Sequence, residues 1–210
     1  VSRLSSPLQA PLLKCLEEMG HGMAKMADTT HFESEEELFE YCHIVAGTVG
    51  ELLTSYYCHF QQPDATTQSM LRSKSEAFAQ ALQRVNIAAD SGRDKIQKRV
   101  FIPGLFSSKE EPIVVHHDFC MSTTSFLKQA IEYTLLVDET HPYRSFCALP
   151  LLLACRTLSL IAGDERVLTP KGGPKVPREE TLQWIVFCSE ESQSNHALKK
   201  AFAQAMESLD

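Results

Sequence analysis

Apolar residues recur every three or four positions over long stretches of the chain, and no sustained every-second-residue alternation interrupts them, so the pattern predicts an all-α protein. Prolines divide the chain into Pro-free segments 12–62, 64–102, 113–141, 151–169 and 178–210, each with helical spacing. Ser34, with Glu37 three residues on, reads as a capping box that starts a helix. Leu38, Cys42, Val45, Val49 and Leu52 then make one apolar stripe, and residues 67–90 repeat the pattern through Met70, Phe78, Leu82 and Val85. Further helices are predicted in 125–137, 146–161, 179–188 and 196–209. Segment 103–117, with two prolines and the pair His116–His117, reads as a connecting loop, as does 169–177, which holds three prolines and two glycines. No internal repeat or domain boundary is visible, so residues 1–210 are expected to form one helical unit.

Composition narrows the function more than the fold. At 210 residues, 43% of them hydrophobic and 22% charged, the chain can bury one substantial core. A formal net charge of -7 argues against nonspecific nucleic-acid binding, which needs a basic surface to displace counterions. Seven cysteines are an odd number without CxxC spacing, and Cys42, Cys147, Cys155 and Cys188 lie in apolar runs. A reducing, cytoplasmic setting follows. The run "FCALPLLLAC" is broken by Pro150 and too short to span a bilayer, and no signal peptide is visible. The chain opens at Val1 without an initiator Met, which leads us to expect further sequence upstream.

Two stretches carry candidate chemistry. Gln83, Asn86, Asp90 and Asp94 fall on one narrow polar stripe of a helix, with Leu82 and Val85 beside it toward the core. Two carboxylates one turn apart can present hard oxygen ligands to a common Mg2+, and Arg93, Lys95, Lys98 and Arg99 follow as partners for an anion. The same spacing equally describes a solvated face whose like charges are relieved by neighbouring bases. In "YCHIVAGTVG", residues 41–50, Ala46, Gly47 and Gly50 leave one helix face nearly bare, which suits close helix packing or a long apolar ligand. Tyr41 could offer its phenol there. His43, His116 and His117 lack a second ligand at metal spacing and read as structural or solvent-exposed. The acidic runs Glu35–Glu37 and Glu179–Glu180 sit at predicted helix starts, where negative charge suits the helix dipole.

Together "YCHIVAGTVG" and "LQRVNIAADSGRDKIQKRVFIP" resemble the squalene/phytoene synthase family, and within it the squalene-forming branch. The family's Tyr-Cys-His-x-Val-Ala-Gly-x-Val-Gly helix matches Tyr41 to Gly50, and its later acidic helix matches Gln83, Asn86, Asp90, Asp94, Arg99 and Pro103. "MGHGMAKM", residues 19–26, and "FCALP", residues 146–150, continue the match in the right order.

The resemblance implies an all-α class I isoprenoid (terpenoid) synthase helical bundle, incomplete at its N-terminus. It implies head-to-head condensation of two farnesyl diphosphates through presqualene diphosphate to squalene, with Mg2+ and, for the reduction, NADPH. Relatives make dehydrosqualene, hydroxysqualene or phytoene, and a non-catalytic helical member would be a binding or assembly module. By the same resemblance Asp90, Asp94 and Asn86 hold the metal, and Tyr41 acts near the reacting end. Gln83, Asn86, Lys95 and Arg99 contact the substrate, Ala46, Gly47 and Gly50 admit the prenyl chain, and Phe146 faces the carbocation. Lys175 and Arg178 are the candidates for an NADPH phosphate, and a membrane surface is an expected partner for a hydrocarbon product. Two departures from the family pattern stand out, Ala89 and Arg93 beside the two aspartates. The family's other Asp-x-x-x-Asp pair is absent from these residues; Glu36 and Glu40 have its spacing on the wrong helix. An N-terminal segment or a second chain is therefore expected to supply the opposite wall.

Overall fold

A computed structural model describes residues 5–209, so residues 1–4 and 210 of the span read as one unit lie outside the described residues. Eight α-helices carry the described residues: α1 Ser6–Lys25, α2 Glu35–Cys42, α3 Thr48–Gln61, α4 Ala65–Ile96, α5 Pro112–Leu136, α6 Pro142–Ile161, α7 Arg178–Glu190 and α8 Asn195–Met206. No strand occurs among the described residues, in accord with the all-α prediction. Helix α4 is the axis of the bundle, touching α2, α3, α5 and α6, while α7 and α8 cover α6. Its 32 residues make it about 48 Å long. The core runs along α4, α5 and α6 through Val85, Ala88, Leu127, Ile131, Leu151, Leu152 and Leu158.

The expected start of α2 holds: Ser34 accepts a hydrogen bond from the Glu37 amide at 3.3 Å, and Glu37 reaches back to the Glu33 amide at 2.7 Å. Asp64 caps α4, accepting from the amides of Thr66 and Thr67. Segment 103–117 is a loop only in its first part, because Pro112 opens α5, a position where the ring's missing N–H costs nothing. His116 and His117 therefore lie on a helix, and His116 is fully buried, with Nε2 3.0 Å from the Ala88 carbonyl. Pro150 does not end α6. That helix is long and apolar enough to cross a membrane by length and composition, yet half of its apolar window is buried inside the bundle.

The apolar stripe predicted through Val45, Val49 and Leu52 does not stay on the core face. Residues His43–Gly47 form a π-turn between α2 and α3, with one more residue per turn than the periodicity assumes. The buried series runs Leu38, Cys42, Gly47, Thr54 and Cys58, and Val45 and Val49 are half-buried beside a cleft instead of packed in the core. Met70 is also exposed, at 41%, its predicted core place taken by Leu71. All seven cysteines are buried and free, and burial pushes the Cys42 thiol up to about 12.

Two further devices set the positions of the functional side chains. After α4 the chain reverses at Lys98, in left-handed conformation with φ 59°, and Val100 pairs in parallel with His31. The Val100 amide donates to the Thr30 carbonyl at 2.7 Å and the Phe32 amide to the Val100 carbonyl at 3.2 Å. This brings Phe32, Tyr41 and Phe101 together. Gly92 lies where the 3-10 turn Glu165–Leu168 crosses α4: a Cβ there would come within 2.2 Å of the Thr169 carbonyl oxygen and 2.6 Å of that of Val167.

Candidate active site

A cleft of about 430 Å³ opens between α3 and α4 on one side and α5 and α6 on the other. Ala46, Val49 and Gly50 line one wall, Leu82, Gln83 and Asn86 the second, and Tyr133, Tyr143, Phe146 and Pro150 the third. Five residues expected to touch substrate, Ala46, Gly50, Gln83, Asn86 and Phe146, thus meet in one place. Gly47 does not join them; its Cα faces Glu76 and His43, and it is not among the lining residues. Gly50 serves both packing and cleft, since a Cβ there would sit 3.2 Å from the Ser75 carbonyl oxygen on α4. Phe146 is 60% exposed and stacks on Tyr143 with centroids 5.8 Å apart, so its ring face is available to a ligand.

The inner end of the cleft holds hydroxyls that the sequence reading missed, because Tyr133 and Tyr143 sit in runs that read as ordinary apolar helix. Thr54 donates to the Gly50 carbonyl at 2.7 Å, so it accepts from Tyr133 at 2.8 Å, which in turn accepts from Tyr143 at 2.9 Å. Each hydroxyl hydrogen is committed in one direction, away from Tyr143. Burial pushes both phenols well above their ordinary range, so they stay protonated. The wall is polar at these atoms and yet offers no ionised nucleophile.

Asn86, Asp90 and Asp94 lead out of the cleft along α4. Asp94 is half-buried, and burial first, then the charge of Asp90, holds its carboxyl above the usual range, opposed by Arg99 and Arg93. Asp90 is ion-paired to Arg93 on its own helix. Tyr41 approaches from α2: burial raises its phenol, with smaller contributions from Cys42 and Asp94, while Arg99 lowers it. Tyr41, Asp94 and Arg99 therefore share one electrostatic neighbourhood. Lys95 points elsewhere, its ammonium 3.8 Å from the centroid of the Phe106 ring. Two carboxylates crowded enough to raise a proton affinity, with an amide one turn before them, are a hard-oxygen donor set that suits a small divalent cation.

Beside this end a smaller hollow of about 290 Å³ is lined by Ala89, Arg93, Lys171, Gly172, Gly173 and Lys175. Lys175 is thus placed with two other cations. Arg178 opens α7 and is not among the residues of that hollow.

The family model for squalene/phytoene synthase matches residues 8–111. The squalene synthase of Cyberlindnera jadinii is 27% identical over 187 residues, 79% of this chain and 41% of that protein. The human squalene synthase is 24% identical over 222 residues, 98% of this chain and 51% of its own length. The chain spans about half the length of these relatives. A solved structure of TcSQS in complex with the ligand BPH1237 superposes with a TM-score of 0.79 at 20% identity, covering 99% of this chain and 70% of that one, which establishes the shared fold.

Proposed function

We propose that this chain, whose residues 8–111 match the squalene/phytoene synthase family, forms one wall of a prenyltransferase site that joins two farnesyl diphosphates head to head. The observation that carries this reading is the continuity of the apolar cleft with the acidic end of α4: Gln83 and Asn86 line the cleft, and Asp90 and Asp94 follow on the same stripe. A prenyl diphosphate has this polarity, a long apolar tail with a polyanionic head.

Mg2+, when bound, neutralises the leaving diphosphate. Asp90 and Asp94 would hold it, with Asn86 ordering its water, and Asp90 would exchange its partner Arg93 for the cation. Arg99 contributes positive charge beside Asp94 and Tyr41. Release of diphosphate leaves an allylic cation, which must meet neither water nor a nucleophile. Leu82, Phe78 and Val49 exclude water, and the exposed ring face of Phe146 can stabilise positive charge without attacking it. Tyr41, kept protonated, holds its proton at the phenol oxygen close to the charged end.

For the reductive step that yields squalene, the hollow of Arg93, Lys171 and Lys175 suits a phosphate of NADPH, and its rim abuts Ala89 on the helix of the two aspartates. The hydrocarbon product suits release at a membrane surface. The test is incubation of the protein carrying this chain with radiolabelled farnesyl diphosphate and Mg2+, with and without NADPH, followed by hexane extraction. Presqualene diphosphate without the nucleotide, and squalene with it, are expected. Absence of both products overturns the reading.

A further inference from the structure

Outside the cleft, among the described residues, three ligand atoms from three successive helical elements converge. His43 Nδ1, in the π-turn, lies 2.8 Å from Glu76 Oε2 on α4. Glu51, on α3, brings a carboxylate oxygen to the same place, so that one atom from each of the three lies within 4.8 Å of the others. None of the three residues lines the cleft.

The surroundings are built around this meeting point. A Cβ on Gly47 would stand 2.5 Å from Glu76 Oε2 and 2.7 Å from His43 Nδ1, so the bare Cα keeps open the space these atoms face. Gln80, fully buried one turn along α4, donates from Nε2 to the other carboxylate oxygen of Glu76 at 2.8 Å and to the Phe39 carbonyl at 2.9 Å. Its own Oε1 has no partner. A buried amide committed to one oxygen of a glutamate, leaving the other toward an imidazole, is the outer-shell arrangement that orients metal-binding carboxylates. Lys14 now sits against Glu51 at 2.6 Å, and its side chain is 56% exposed, free to swing into solvent. On its α1 side Glu51 lines a hollow of about 480 Å³ together with Lys14, Glu18 and Thr48.

We propose that His43, Glu51 and Glu76 bind a borderline divalent cation, for which Zn2+ is the probe, tying the π-turn and α3 to α4. One imidazole nitrogen with two carboxylates suits Zn2+ over Mg2+, which favours all-oxygen ligands, and leaves positions for water. The site is independent of the prenyltransferase reading and separate from Asp90 and Asp94.

Equilibrium dialysis against Zn2+ in millimolar Mg2+ tests it. Wild-type protein is expected to take up one Zn2+ per chain, Glu51→Gln to bind it about tenfold more weakly or worse, and Asp94→Asn to bind it as wild type does. Equal uptake by wild type and Glu51→Gln, or loss of uptake in Asp94→Asn, overturns the proposal. A measurement that needs no variant is 15N NMR of the histidine rings: Zn2+ should move the His43 Nδ1 resonance, and a stationary signal at saturating Zn2+ overturns the site equally.

Discussion

Tyr41 lies against Phe101 with ring centroids 5.2 Å apart and planes 14° from parallel. The stack joins α2 to the segment after α4, and Phe32 closes it from the third side at 5.3 Å from Tyr41. The phenol that approaches Asp94 is therefore aimed by aromatic packing, not by a hydrogen bond of its own.

Tyr41→Phe should keep the stack and the melting temperature while lowering turnover about a hundredfold, the range for loss of a positioned proton donor. Phe101→Ala should lower turnover and also cost about 2–3 kcal/mol, because a half-buried ring leaves a gap. Product assays beside thermal melts separate the two. Unchanged turnover in Tyr41→Phe would remove the tyrosine from the chemistry.

Asp94→Asn should lower turnover about a hundredfold or more at saturating substrate, with helicity unchanged by circular dichroism. Asp94 begins with a raised carboxyl from burial and Asp90, so at limiting Mg2+ the acid limb of the rate should lie above the ordinary carboxylate range. Added Mg2+ favours the ionised form and should move that limb to lower pH. An acid limb indifferent to Mg2+ would contradict the assignment.

Gly92→Ala should destabilise by about 3 kcal/mol, because its methyl meets backbone carbonyls of the 3-10 turn that cannot rotate aside. Gly50→Ala meets the Ser75 carbonyl oxygen only at 3.2 Å, and the helical preference for Ala offsets the contact, so a change within about 1 kcal/mol is expected. Urea denaturation of the two variants measures the contrast.

His116 should make the fold acid-sensitive. Burial lowers its pKa, against a raising contribution from the Ala88 carbonyl. The unfolded chain therefore takes the proton first as pH falls, and stability present above the usual value near 6.5 is lost as pH drops toward the folded value. The slope is at most about 1.4 kcal/mol per pH unit for one proton. Urea midpoints between pH 7 and pH 5 should fall more steeply for wild type than for His116→Gln, and equal slopes would exclude this histidine as the cause.

Periodicity made α2, α4 and α6 to α8 legible, and the Ser34 cap was readable because its geometry is local. The start of α5 was not, since a proline reads as a breaker until the helix after it is seen. The π-turn has no residue signature, so the step from Cys42 to Gly47 is invisible to periodicity, which puts Val45 and Val49 on one stripe with Leu38 and Cys42. The motifs named Ala46, Gly50, Gln83, Asn86 and Phe146, which line one cleft, together with Gly47, Lys95 and Arg99, which do not line it. The Thr54–Tyr133–Tyr143 hydroxyls depend on pairings up to 79 residues apart, which spacing along one helix cannot reveal.

The π-turn at His43–Gly47 also gives this wall a slack point. Removing a residue within α3 or α4 would rotate everything beyond it by about 100° and turn the lining side chains away. Removing one residue from the turn would let it close as ordinary α-helix, leaving Tyr41 and Gly50 each facing as they do now. Chain length can change there without changing what the cleft sees.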